Sequence, residues 1–122
     1  MGTRAATAAA GEAPPGQEGL ILRFARLMRE RYGSGIYVFG SRVRGTARPG
    51  SDYDLIAVSR AFEGTHILDR APDWRKLWRE AGGWGLSLDL RCYTPEEFKE
   101  ELRGLGYLGQ AKRRGELIKV KP

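Results

Sequence analysis

Gly40-Ser41 and, ten residues further on, Asp52-Tyr53-Asp54 are residue types suited to handling phosphate and metal. A strand that ends in Gly-Ser brings backbone N–H groups and a hydroxyl to a tight turn, and glycine lets the chain approach phosphate oxygens with no Cβ in the way. Two aspartates separated by one residue on a strand point to the same side, so their carboxylates can ligate the same divalent ions. Asp89, on the polar face of a later alternating segment, completes a three-carboxylate set if that strand lies beside the second. Three acids with two Mg²⁺ ions suit in-line phosphoryl or nucleotidyl transfer, one ion activating the attacking hydroxyl and the other steadying the leaving pyrophosphate. Without metal such a cluster repels itself.

The elements that must position these residues are legible in the apolar pattern. Leu20, Phe24, Leu27, Met28 and Arg31 follow one stripe of a helix that stops at Gly33. Ile36-Tyr37-Val38-Phe39 reads as a buried strand cut off by Gly40-Ser41, and the loop after it runs to Gly50. Asp52 to Val58 is a second strand, with Asp52, Asp54, Ile56 and Val58 on one face. A loop from Ser59 to about Ala71 leads to a helix carrying Trp74, Leu77, Trp78 and Ala81, ended by Gly82-Gly83. From Leu86 to Cys92 the chain alternates, with Leu86, Leu88, Leu90 and Cys92 on one face and Ser87, Asp89 and Arg91 on the other. Thr94-Pro95-Glu96-Glu97 is a helix start: Thr94 caps, Pro95 takes the first position, and Glu97 reaches back in a capping box. Beyond Gly104 the pattern weakens to a short helix over Tyr107 to Arg114 and a strand from Leu117 to Val120.

Those elements belong to an α+β fold, a small mixed β-sheet flanked by helices. The chain has 122 residues, 41% hydrophobic and 30% charged, which suits one globular domain over 17–122 and argues against disorder or fibrous repeats. Residues 1–16, rich in Ala with Gly and Pro-Pro, are expected to be a flexible tail. No apolar run is long enough to span a bilayer and no secretory h-region opens the chain, so the expected location is cytoplasmic, with no membrane partner. Cys92 is the only cysteine and His66 the only histidine, which excludes a disulfide framework and any Cys- or His-based metal cluster. The net charge of +6 favours polyanionic partners without choosing among them. Its distribution says more: residues 20–50 hold seven arginines against Glu30, and the acidic balance begins where Asp52 and Asp54 appear. A site for a triphosphate with its metal ions wants both signs close together.

Phe39-Gly40-Ser41-Arg42, Arg44-Gly45, Ser51-Asp52-Tyr53-Asp54-Leu55, Leu88-Asp89-Leu90 and Cys92-Tyr93-Thr94-Pro95-Glu96-Glu97-Phe98 resemble the minimal nucleotidyltransferases of the DNA polymerase beta superfamily. The resemblance covers roughly residues 18–118 and is most specific from Gly-Ser to Asp-x-Asp. It implies the nucleotidyltransferase fold. It further implies that Gly40 and Ser41 hold a nucleoside triphosphate, ATP or another NTP, and that Asp52 and Asp54 ligate Mg²⁺. Asp89 then completes the metal site and helps to deprotonate the acceptor. Many relatives are antitoxins encoded beside a helical HEPN-domain toxin, and some transfer AMP to a tyrosine of that partner. Transfer of AMP from ATP to a hydroxyl of a separate HEPN-type protein is therefore the leading expectation, and neutralisation of that partner by occlusion alone is the alternative.

Each feature also has a plainer explanation. A lone Gly-Ser is usually a turn and a lone Asp-x-Asp a solvated strand end; it is their joint occurrence between two apolar strands that argues for a site. Arg42 and Arg44, next to the turn, are the better candidates for phosphate contact, while Arg48 is as readily solvent-facing. Ser51 is expected to brace the strand start. Trp74 and Trp78 fit core or partner contacts rather than base stacking, Cys92 fits an inert buried thiol, and His66 fits a loop. Lys112-Arg113-Arg114 reads as a solvated helix end, with RNA contact as the minority reading.

Overall fold

In the computed structural model, residues 19–40, 43 and 52–122 are described. Helix α1 spans Leu20–Tyr32 and buries Leu20, Ile21, Phe24, Ala25 and Met28 along one stripe. Gly33, at φ 65°, takes the left-handed conformation that closes the helix and donates its N–H to the Arg29 carbonyl. Strands β1 (Gly35–Phe39) and β2 (Tyr53–Val58) follow, then helix α2 (Trp74–Ala81), strand β3 (Leu88–Tyr93), helices α3 (Pro95–Arg103) and α4 (Tyr107–Arg113), and strand β4 (Ile118–Val120). The segment between β2 and α2 is not featureless loop. It forms two short 3₁₀ turns, Arg60–Phe62 and Ile67–Asp69, the second capped by the His66 ring accepting from Leu68 N–H.

The four strands form a mixed sheet in the order β3-β2-β1-β4. β1 pairs antiparallel with β2 and with β4, while β2 and β3 run parallel, joined by a crossover through α2. Alternation sends two sets of side chains to two cores. Ile36, Val38, Tyr53, Leu55, Ala57 and Cys92 pack with α1 and α2, where Phe24 meets Trp78 edge to face at 5.2 Å. On the other face, Phe39, Ile56 and Tyr93 pack with Phe98 of α3 and Leu108 of α4. Trp78 is core, 4% exposed, with its indole N–H donating to the Leu86 carbonyl at 2.9 Å.

α3 starts as its sequence requires. The Thr94 hydroxyl accepts from Glu97 N–H and the Glu97 carboxylate accepts from Thr94 N–H, both halves of a capping box. Glu97 has a second task. Arg70, 9% exposed, donates to both its carboxylate oxygens at 2.5 and 3.1 Å, and also to the Thr65 and Cys92 carbonyls. One guanidinium thus ties the 3₁₀ segment, the end of β3 and the start of α3 together. It holds the Glu97 carboxyl down to about 2. Among the described residues no helix is long and apolar enough to cross a membrane.

Candidate active site

The parallel pairing of β2 and β3 sets Tyr53 opposite Leu88 and, one residue on, Asp54 opposite Asp89. Neighbouring strands lie about 4.8 Å apart, so two register partners on one face hold their carboxylates side by side. That face is the one carrying Phe39, Ile56 and Tyr93; α3 and α4 pack on it, and Tyr107 lies edge-on to Phe39 at 5.6 Å, at the same end as the acids. β1 completes the row, because Phe39 is the antiparallel partner of Asp54 and Gly40 follows it at the strand mouth.

Gly40 is shaped to that carboxylate. Its φ is +85°, a conformation that residues with a Cβ rarely adopt, and a Cβ placed there would lie 2.7 Å from Asp54 Oδ2. The backbone turn therefore closes directly onto the acid. Asp54 is half-buried, and Asp89 is 51% exposed at the side chain, with Arg91 Nη2 4.0 Å from its Oδ2. An ion pair that long and that exposed is worth little and leaves the carboxylate available to other partners. Arg91 leans the other way as well, its guanidinium 5.9 Å from the centre of the Phe39 ring.

Asp52 stands just before β2 and is exposed, on the Asp54 side by alternation, at the level where Tyr53 N–H donates to the Ser87 carbonyl. The structure thus brings Asp54 and Asp89 together beside Gly40 and leaves Asp52 at the rim. Among the described residues no group of three or more His, Cys, Asp or Glu is gathered as a metal site. The donor chemistry suits a hard divalent cation all the same, since among the described residues Asp54 and Asp89 offer carboxylate oxygens and the sulfur of Cys92 lies on the opposite face. Ser41, Arg42, Arg44, Arg48 and Ser51 lie outside the described residues, as does the 1–16 segment expected to be a tail.

Cys92 turns to the opposite face, and burial pushes its thiol up to about 11, which suits the inert role expected of it. Arg91 is the neighbour that sequence reasoning did not single out; its place two residues after Asp89 on an alternating strand was the available signal.

The sequence model of the nucleotidyltransferase domain matches residues 21–121. The chain belongs to the nucleotidyltransferase domain family. The match runs from α1 to β4, so the Gly40, Asp54 and Asp89 positions lie within a family whose members in general take a nucleoside triphosphate and a divalent metal. Among solved structures, a candidate nucleotidyltransferase from Sulfolobus solfataricus shares this fold at a TM-score of 0.55 and 16% identity, covering 98% of this chain and 87% of its own. A toxin–antitoxin structure with AMP-PNP is also similar, at a TM-score of 0.49 and 20% identity over 84% of this chain and 71% of its own. No curated protein sequence matches the chain. The nucleotidyltransferase fold is thus the α+β sheet-and-helix architecture expected from the sequence.

Proposed function

We propose that this nucleotidyltransferase moves a nucleoside monophosphate, AMP from ATP, onto a hydroxyl of a separate protein, a tyrosine of a HEPN-type partner. The observation that carries the reading is the register pairing of Asp54 with Asp89 beside the Gly40 turn. In the transfer the acceptor oxygen attacks the α-phosphorus, an O–P bond forms, the α–β anhydride bond breaks and pyrophosphate leaves. Asp54 and Asp89, with Asp52 swung in from the rim, would hold two Mg²⁺ ions. When bound, Mg²⁺ supplies the charge that acidifies the acceptor hydroxyl and steadies the leaving pyrophosphate. Asp89 takes the hydroxyl proton, and its half-exposed side chain can pass that proton to water. Gly40 and Ser41, with Arg42 and Arg44 after them, would cradle the triphosphate on backbone N–H groups and guanidinium charge. The naming of AMP, of tyrosine and of a HEPN-type partner rests on the motif resemblance.

The test is incubation with each α-labelled nucleoside triphosphate, Mg²⁺ and a HEPN-type partner, with Asp54→Asn and Asp52→Asn as controls. Label on the partner that both substitutions abolish is the expected result. A complex that forms equally with either variant and carries no label supports neutralisation by occlusion instead.

A further inference from the structure

Among the described residues β3 is one margin of the sheet, with no strand on its outer side. Tyr53 N–H donates to the Ser87 carbonyl and Ser59 N–H to the Tyr93 carbonyl. Alternation then turns the backbone groups of 87, 89, 91 and 93 toward β2 and those of Leu88, Leu90 and Cys92 outward. The Cys92 carbonyl confirms the sense, because Arg70 Nη1 reaches it from outside at 3.0 Å. Leu88 and Leu90 are left with an N–H and a C=O each on the open edge, and no strand of the described residues lies on that side of them.

A groove of about 620 Å³ runs along that edge, between β3 and the segment carrying Leu68, Trp74 and Arg75, and Asp89 is part of its wall. A second hollow of about 430 Å³ continues it past Trp78, Arg79 and Ser87. Large apolar side chains stand in the open nearby: Leu68, in the wall of the groove, is 85% exposed, and Trp84, against Arg79 of the second hollow, 72%. Arg75 stacks on Trp74 at 4.5 Å and Arg79 on Trp84 at 5.5 Å, which holds both cations at the surface. Arg70 is already paired with Glu97, so the charges facing the groove are Arg75, Arg79 and Arg91 against Asp89.

We propose that the acceptor protein docks here as an added strand, an extended acidic segment that pairs its backbone with Leu88 and Leu90 and carries its hydroxyl to Asp89. This deepens the proposed transfer to a protein hydroxyl and rests on it. Strand addition satisfies the open edge, alternate side chains of the segment fall beside Leu68 and the tryptophans, and acidic residues meet Arg75 and Arg79. A second copy of the chain is the poorer occupant, because its own three arginines would face these three.

The test uses the full chain without nucleotide or metal, so that docking is read apart from transfer. The probes are a random glutamate–tyrosine copolymer, a lysine–tyrosine copolymer and oligothymidylate. Free, the Leu88 and Leu90 amides should exchange fast with deuterium; the acidic copolymer should slow both at least about tenfold, a margin corresponding to about 1.4 kcal/mol. The double substitution Arg75→Glu, Arg79→Glu should weaken that binding at least about tenfold with an unchanged far-ultraviolet circular dichroism spectrum. Leu88→Pro, which removes an outward N–H at the first residue of an edge strand, should weaken it too. Should Leu88→Pro unfold the chain, the arginine variant still decides. No slowing, equal binding of the lysine copolymer, protection by oligothymidylate, or protection that rises with protein concentration alone overturns the proposal. Labelled transfer without Leu88 and Leu90 protection sinks the docking edge and spares the activity; protection without any transfer does the reverse.

Discussion

Gly40→Ala puts the relation between the turn and the acid under direct strain. The new Cβ would sit 2.7 Å from Asp54 Oδ2, where ordinary contact begins at 3.4 Å, so the carboxylate must retreat by about 0.7 Å or the turn must open. At φ +85° the alanine also pays the left-handed penalty of about 1–2 kcal/mol. The expected stability loss is therefore about 1–2 kcal/mol, read as a shift in urea midpoint at constant m-value. Displacing a reacting group by close to an ångström costs on the order of 10²-fold in rate, far more than the folding term explains in a chain that remains folded at 25 °C. Pyrophosphate release at saturating nucleotide gives the activity, and Asp54→Asn gives the floor. An alanine variant that keeps wild-type turnover would refute the claim that Gly40 positions Asp54, whatever its stability.

Three further outcomes follow from the packing and the ionisable groups. Glu97→Gln should cost about 2 kcal/mol by leaving the buried Arg70 guanidinium with carbonyl partners alone. Because folding depresses the Glu97 carboxyl from 4.5 to about 2, its contribution is complete above about pH 4.5 and is lost as pH falls toward 2. The Tm gap between wild type and Glu97→Gln should shrink over that window, and a gap constant with pH would contradict the assignment. Phe24→Ala, at a fully buried site packed edge-on to Trp78, should lower stability by about 3–5 kcal/mol in urea unfolding. Cys92, its thiol raised to about 11 by burial, should resist iodoacetamide at pH 8 and react only when denaturant exposes it; fast labelling of the native protein would count against the buried strand face.

Local chemistry was readable in advance and long-range pairing was not. Thr94-Pro95-Glu96-Glu97 announces its helix because all the groups of a capping box lie within four residues, and the box forms. The alternation of Leu86 to Cys92 announces a strand with Asp89 on its polar side, and β3 is that strand, with Leu88, Leu90 and Cys92 facing the α1–α2 core. Which residue of β2 lies beside Asp89 is a matter of register between segments 35 residues apart, and a slip of one would send the two acids to opposite faces. A separation of 27 residues hid the Arg70–Glu97 link in the same way: Arg70 looks like any loop arginine until the crossover folds it onto α3. The 3₁₀ turns between β2 and α2 escaped notice because three-residue helices have no periodicity to detect. Tyr107 on Phe39 shows the opposite case, a weak helical signal after Gly104 made firm by packing on an aromatic of the first strand.

Mn²⁺ binding followed by electron paramagnetic resonance, with a non-hydrolysable nucleoside triphosphate analogue present, tests most directly whether the paired acids form a metal site. Asp54→Asn and Asp89→Asn should each weaken the bound-ion signal by at least about tenfold while leaving the circular dichroism of the fold intact. If Mn²⁺ binds Asp89→Asn as tightly as wild type, the register pair is a surface coincidence and the account of the site is wrong.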